Sequence, residues 1–294
     1  MKTAALVGML LLGTVQAQTK ELKVYISADM EGIGGVSTWT VQADAKGREY
    51  EKFRQLMTKE VNAAIEAAYE AGATSVLVSD SHGDAQNLDV EVLDKRAELI
   101  RGWPRGLEMM EGVDDSFGAV VFIGYHAAEG TGQAVLAHTM NGRVEIKLNG
   151  TLVSEAGFNA AIAGEFGVPV VVISGDQTVT EATRRLLGPI ETAVVKHAIG
   201  FQAARMIHPE EVQRRIREGV RKGVARCAEL KPWKLAHPVQ MEIRFTRVVD
   251  AEFTSFLPGV QRLSGNTVLF TGRDMIEAAR WFAAVEGLNT YREN

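Results

Sequence analysis

Acidic and imidazole side chains follow three separate apolar runs of this chain. LKVYISADMEG carries Asp29 and Glu31, SVLVSDSHG carries Asp80 and His82, and AVVFIGYHA carries His126. Carboxylate oxygen and imidazole nitrogen together suit a divalent cation such as zinc. Asp29 and Glu31 are two residues apart, so in extended backbone both side chains leave the same face and can serve one ion or two adjacent ions. An isolated Asp-x-Glu is more often a pair of loop acids, here before Gly32, Gly34 and Gly35. Those glycines fit neither a dinucleotide-binding nor a P-loop pattern, because no helix-opening G-x-G-x-x-G and no Gly-Lys-Ser/Thr follows. Asp80 and Ser81 precede His82, and either can orient its imidazole through a hydrogen bond, as metal-bound histidines usually require. Each histidine alone reads as structural. Taken jointly they read as a metal site, since unrelated decoration would not place acids and histidines after successive core strands.

Other positions are more open. His138, in VLAHTMNG, fits a further ligand, a catalytic acid or base, or a satisfied surface histidine. Glu155 follows Ser154 at the start of AGFNAAIAGEFG, where a capping serine and a negative charge in the first turn are favoured without any site. Asp176 ends the apolar run VVVISGD and is a candidate for supporting contacts, as are Asp80 and Ser81. His197, His208 and His237 lack comparable partners and read as structural. No G-x-S-x-G elbow occurs, and the sole cysteine, Cys227, lies among charges away from any His-rich motif, which disfavours Ser and Cys nucleophiles. The Met and Trp residues read as core packing.

These side chains need elements to bring them together. The runs ahead of Asp29, Asp80, His126 and Asp176 are nearly all Val, Ile, Leu, Tyr and Phe, as in strands buried on both faces of a parallel sheet. Such sheets bind ligands beyond the carboxyl ends of their strands. Residues 48–71 space Phe53, Leu56, Met57, Val61, Ala64, Ile65 and Ala68 by threes and fours, which predicts an amphipathic helix ending at Gly72. With the strand at 75–79 it makes a right-handed crossover unit. RVEIKLNGTLVSE alternates around Asn149-Gly150 and predicts a hairpin. The expected fold class is α/β, a mostly parallel sheet with helices on both faces, at residues 18–205. A smaller α+β domain is expected at 206–294, for subunit contact or substrate enclosure.

The first residues, MKTAALVGMLLLGTVQAQ, combine a basic start, an apolar run to Val15 and Val-Gln-Ala before a cut after Ala17. This is the pattern of a secretory signal peptide and predicts a periplasmic or secreted protein. The run is shorter than the roughly 20 residues that span a bilayer, and no cysteine follows for a lipid anchor. Of the 294 residues, 46% are hydrophobic, enough for a sizeable core, and the net charge of −5 makes nucleic acid an improbable partner. A single cysteine allows no internal disulfide, so stability rests on the core, bound metal or subunit packing.

The set SADMEG, VSDSHG, GYHA, AHTMNG and SEAGFNA, in that order and at these intervals, closely resembles the D-aminopeptidase family of zinc metallopeptidases, of the dipeptide-transport-operon type. The likeness runs from residue 24 to about the chain end and includes the DMIEAA helix. It implies a two-zinc site held by Asp29, Glu31, His82, His126 and Glu155, with His138 as the catalytic residue. It also implies a ring-like homo-oligomer, a decamer in the type member, with active sites facing an inner channel. The export signal and the loop AAEGTGQAVLAH depart from the cytoplasmic type member and bear on pocket shape and D-residue specificity.

The expected activity is removal of N-terminal D-amino acids from short peptides or amides by a metal-activated water. Two ions about 3.5 to 4 Å apart, bridged by Asp29, would lower the pKa of that water and stabilise the oxyanion. One of them can also take the substrate's free amine. Two other readings stand beside this one: an amidase or dipeptidase acting on cell-wall fragments with the same ions, and an exported peptide-binding protein without catalysis.

Overall fold

The computed structural model describes residues 21–291, so the expected signal segment at 1–17 lies outside the described residues. Four apolar runs form the strands β1 (Lys23–Ala28), β2 (Ser75–Asp80), β4 (Phe117–Tyr125) and β7 (Val170–Asp176). With β3 (Ala97–Ile100), β8 (Glu191–Gly200) and β9 (Ala203–Met206) they make one seven-stranded sheet in the order β3-β2-β1-β4-β7-β8-β9. All neighbours pair in parallel except β8 and β9, which form an antiparallel edge. The expected mostly parallel sheet is present. Its order sets β2, β1, β4 and β7 side by side at the centre, with strands about 4.8 Å apart.

Alternate residues of these strands feed two cores. On one face Val24, Ile26, Val78, Val121 and Ile123 pack against helix α1 (Tyr50–Glu70) and helix α4 (Pro209–Ala225). Helix α1 buries Phe53, Met57, Val61, Ala64, Ile65 and Ala68, the stripe read from its three-and-four spacing, and it gives way to Gly72 at φ +99°. On the other face Tyr25, Val120, Phe122 and Ile173 pack with Phe158 and Ile162 of α2 (Glu155–Glu165) and with Phe282 of α6 (Met275–Tyr291). Helix α3 (Gln177–Leu187) packs on β7 and β8.

A second, antiparallel sheet runs in the order β11-β12-β10-β5-β6. It comprises β5 (Val144–Leu148), β6 (Thr151–Val153), β10 (Val239–Phe245), β11 (Val260–Arg262) and β12 (Thr267–Gly272), and α5 (Val248–Thr254) packs on it. The β5–β6 hairpin turns at Asn149 and Gly150, both at positive φ, as its sequence predicts. The expected boundary at 205/206 does not coincide with the division between the sheets. The hairpin precedes that boundary yet belongs to the second sheet, because its apolar face meets β10. Helix α4 follows the boundary yet packs against α1 and β8, because Val212, Ile216, Val220 and Val224 form a stripe matching that face of the first sheet.

Candidate metal centre

The site begins where β1 ends. Asp29 N–H donates to Ile123 O at 2.8 Å and Gly32 N–H donates to Gly124 O at 2.7 Å, so the segment after β1 folds over the end of β4. No side chain fits at this crossing. A Cβ on Gly32 would lie 2.0 Å from Tyr125 O, and one on Gly124, at φ +73°, would lie 2.1 Å from Asp29 O. Two glycines thus allow the approach that brings Asp29 and Glu31 over the rim beside His126.

Asp29 stands at the middle of the donor set. Its Oδ1 is 3.3 Å from His82 Nδ1 and its Oδ2 is 3.2 Å from His126 Nε2. Glu31 Oε2 approaches the same His82 Nδ1 at 2.9 Å, and Glu155 Oε2 approaches the same His126 Nε2 at 3.2 Å. His138 lies face to face with His126, ring centroids 3.9 Å apart at 8°, with Nε2 3.9 Å from Glu31 Oε1. The structure therefore brings together all six residues read as metal or catalytic groups. The first five are nearly fully buried, whereas the His138 side chain is 20% exposed. Glu155 divides its oxygens: Oε1 accepts the Met140 N–H at 2.6 Å while Oε2 faces His126.

The ring nitrogens that face the carboxylates are lone-pair donors in the neutral imidazoles. His82 Nε2–H donates to Ala43 O at 2.8 Å, which leaves Nδ1 bare between Asp29 and Glu31. His126 Nδ1–H donates to Ala127 O at 3.1 Å and His138 Nδ1–H to Leu136 O at 2.7 Å, which leaves both Nε2 atoms toward the centre. Tautomers assigned by these backbone partners match those of metal-ligating histidines.

The residues read as supports act through backbone and not through the histidines. Asp80 accepts from Asn87 N–H and Leu88 N–H through Oδ2 and from Asn87 Nδ2 through Oδ1, closing the loop that begins at His82. Ser81 points to the far side, where its hydroxyl meets Ser27 and Ser79, so it does not orient His82. Asp176 caps α3 through Thr178 and Val179 N–H and also accepts Val135 N–H, which ties down the loop carrying His138.

Two groups escaped the sequence reading. Lys196 of β8 is fully buried and donates to the carbonyls of Glu31, Ile33 at 3.0 Å and Val36 at 2.7 Å, pinning the loop after β1. Burial pushes its pKa down to about 8. Its only signal was a lysine inside the apolar run AVVKHAIG. Trp39 and Trp103, read as core, instead line the cavity at the site, each nearly two-fifths exposed. Trp39 tilts against His82 with centroids 5.5 Å apart.

The electrostatics of the donor set suit a cation. Burial disfavours a charged imidazole at His82, but Glu31 and Asp29 outweigh it and hold the pKa well above 6.5; Glu155 and Asp29 do the same at His126. Burial likewise opposes ionisation of Asp29, yet the two histidines hold its carboxyl well below the usual range. Asp29 Oδ2 and His126 Nε2 face each other without hydrogen-bond geometry, and neither has another hydrogen-bond partner among the described residues. Two groups of ligand atoms, one from Asp29, Glu31 and His126 and one from His126, His138 and Glu155, each lie within 4.8 Å of one another. Orphaned buried donors of mixed oxygen and nitrogen chemistry fit a divalent cation. The cavity over them has a volume of about 1140 Å³, room for a short peptide.

The chain is similar to known proteins along most of its length. A family model described as D-aminopeptidase matches residues 22–284. A D-aminopeptidase of Bacillus subtilis (strain 168) is 36% identical over 259 residues, 87% of this chain and 94% of the relative. A solved structure titled the Zn-dependent D-aminopeptidase DppA from Bacillus subtilis, a self-compartmentalizing protease, superposes with a TM-score of 0.88 at 35% identity, covering 91% of this chain and 97% of that one.

Proposed function

The chain belongs to the D-aminopeptidase family, with the metal-dependent aminopeptidase activity that goes with it, and from this premise we propose a dinuclear zinc enzyme releasing N-terminal D-residues from short peptides. The observation that carries the two-ion reading is the divided use of Asp29. One oxygen faces the His82–Glu31 pair and the other faces the His126–Glu155 pair. Glu31 and His82 would hold one ion, His126 and Glu155 the other, and Asp29 would bridge them. Zinc so held supplies Lewis acidity toward the scissile carbonyl and toward water.

The protein's own groups do the rest. His138 is fixed in one tautomer by Leu136 O, so Nε2 at the cavity wall carries a lone pair that takes a proton from the attacking water and returns it to the departing nitrogen. Trp39 forms part of the cavity wall beside His82, where a bound peptide would pack against its ring. The neighbour's description as self-compartmentalizing supports a homo-oligomer, a decamer by the family resemblance, whose enclosed chamber would admit only short peptides. The signal pattern at 1–17 supports export to the periplasm or beyond.

Metal analysis of the purified protein together with hydrolysis of D- and L-alaninamide tests the proposal. We expect about two zinc ions per chain and chelator-sensitive release of ammonia, faster from the D-amide. Unchanged amide recovered from the metal-loaded protein would leave a peptide binder instead, and one ion per chain would remove the bridging role of Asp29.

A further inference from the structure

The cavity holds a carboxylate that the metal site does not use. Glu108 lies in a short 3₁₀ turn, Glu108–Met110, at φ +52°, with only 7% of its surface exposed, and it lines the same cavity as Asp29 and Glu155. Its carboxylate has no hydrogen bond and no ion pair among the described residues. Arg105 lines the same cavity and its charge favours the ionised Glu108. Its Nε and Nη1, however, donate to Gly102 O, Ser79 Oγ and Asp80 O, its Nη2 has no hydrogen-bond partner, and it makes no ion pair with Glu108 among the described residues. From α6, which packs against this turn, Glu286 also lines the cavity. Its carboxylate disfavours ionisation of Glu108.

A buried carboxylate without a partner is costly unless a cation meets it in the working state. Burial, with Glu286 beside it, pushes the Glu108 carboxyl up to about 9, and burial with Glu155 pushes Glu286 up to about 7. Protonation relieves the charge at rest, with Glu286 beside Glu108 as an acceptor for the proton. A visiting cation with N–H donors meets the ionised form of Glu108 instead. The cavity opens to solvent beside the metal centre, so the visitor is part of the substrate.

We propose that Glu108, with Glu286 beside it, forms a subsite for a primary ammonium group of the substrate. The proposal rests on the reading that this cavity takes amino-terminal substrates. Two sources present such a group: the α-ammonium common to all of them, and the side-chain ammonium of a lysine-like first residue. Either way the subsite selects by charge, and an acidic first residue is disfavoured.

Steady-state kinetics with D-alaninamide, D-norleucinamide and D-lysinamide on wild type, Glu108→Gln and Glu286→Gln tests this. The ammonium is held before and during reaction, so removing its partner raises KM ten-fold or more with a much smaller change in kcat. A loss shared by all three amides assigns the α-ammonium. A wild-type preference for D-lysinamide over D-norleucinamide that Glu108→Gln abolishes assigns the side chain. A change in KM below two-fold for every amide in both folded variants overturns the subsite. Calorimetric binding of pentylammonium chloride gives a readout without turnover: at least ten-fold weaker binding to Glu108→Gln supports the subsite, and equal binding overturns it. If wild type hydrolyses no amide yet binds pentylammonium through Glu108, the catalytic reading fails while the subsite stands.

Discussion

Asp29 and Glu155 each divide their two oxygens between different neighbours, and that division separates ligand roles from catalytic ones. Glu155 spends one oxygen on Met140 N–H and keeps one for the centre, whereas His138 spends Nδ1 on Leu136 O and keeps a partly exposed Nε2. The two stacked histidines therefore answer differently to the same truncation. His126→Ala removes a nitrogen wedged between Asp29 and Glu155, and metal content falls in elemental analysis. His138→Ala leaves metal content intact and lowers kcat by about 10² to 10⁴-fold, the usual worth of a positioned proton donor. Full metal retention in the first variant would exclude His126 as a ligand. Unaltered turnover in the second would remove His138 from the chemistry.

At the scale of elements, the proposed ligands stand on loops that follow strands, except Glu155, which opens α2, and each loop is tied by a buried polar group. Lys196 holds the loop after β1, Asp80 holds the loop after β2, and Asp176 holds the long loop between β4 and β5. Glu60 of α1 adds a further tie by accepting Gly34 N–H at 2.8 Å, and burial pushes its carboxyl up to about 8. Asp80 never touches the His82 ring, so its effect is positional. Asp80→Ala frees the Asn87 and Leu88 amides and lets His82 wander, and we expect zinc affinity to drop by about 10 to 100-fold in competition with a chromophoric chelator. An unchanged affinity would show that Ala43 O and the helix behind it suffice to hold the ring.

The proposed ligands draw on most of the molecule, because they come from the ends of β1, β2 and β4 and from the start of α2. Without metal, the neighbouring carboxylates keep His82 and His126 protonated. Their folded pKa values are raised, so the stability they contribute is complete below about 6.5, the unfolded value, and is lost as pH climbs through the folded values. Metal binding needs the neutral rings and therefore strengthens over the same interval. The melting temperature lost on chelation should widen from about pH 6 to about pH 8. At a thousand-fold excess of zinc over its Kd the gap corresponds to about 4 kcal/mol, on the order of 10 °C for a chain of this size. A gap that shrinks with rising pH in differential scanning calorimetry would contradict this linkage.

Much of this was legible beforehand, for a physical reason. Strands buried on both faces must be continuous in apolar residues, so the acids and histidines that interrupt them mark the rim of a parallel sheet, and Asp29, His82 and His126 stand out at once. The stripe of α1 and the Asn149-Gly150 turn are equally local signals. Glu155 and His138 could not be assigned from residue type, since a first-turn carboxylate and a loop histidine each have ordinary roles. Their placement depends on a hydrogen bond to Met140 and on a ring stack, both made by chain that is distant or irregular in sequence. Lys196, Trp39 and Glu108 were missed because a lysine in a strand, a tryptophan in an irregular segment and a glutamate in a short turn carry no periodic signal. Sequence by itself determined the chemistry available and the edge of the sheet where it gathers. Only tertiary structure decided which oxygen faces which nitrogen, where the two sheets divide the chain, and that one buried carboxylate waits without a partner. Those depend on strand order and on the close approach at Gly32 and Gly124, which bring groups distant along the chain within bonding reach.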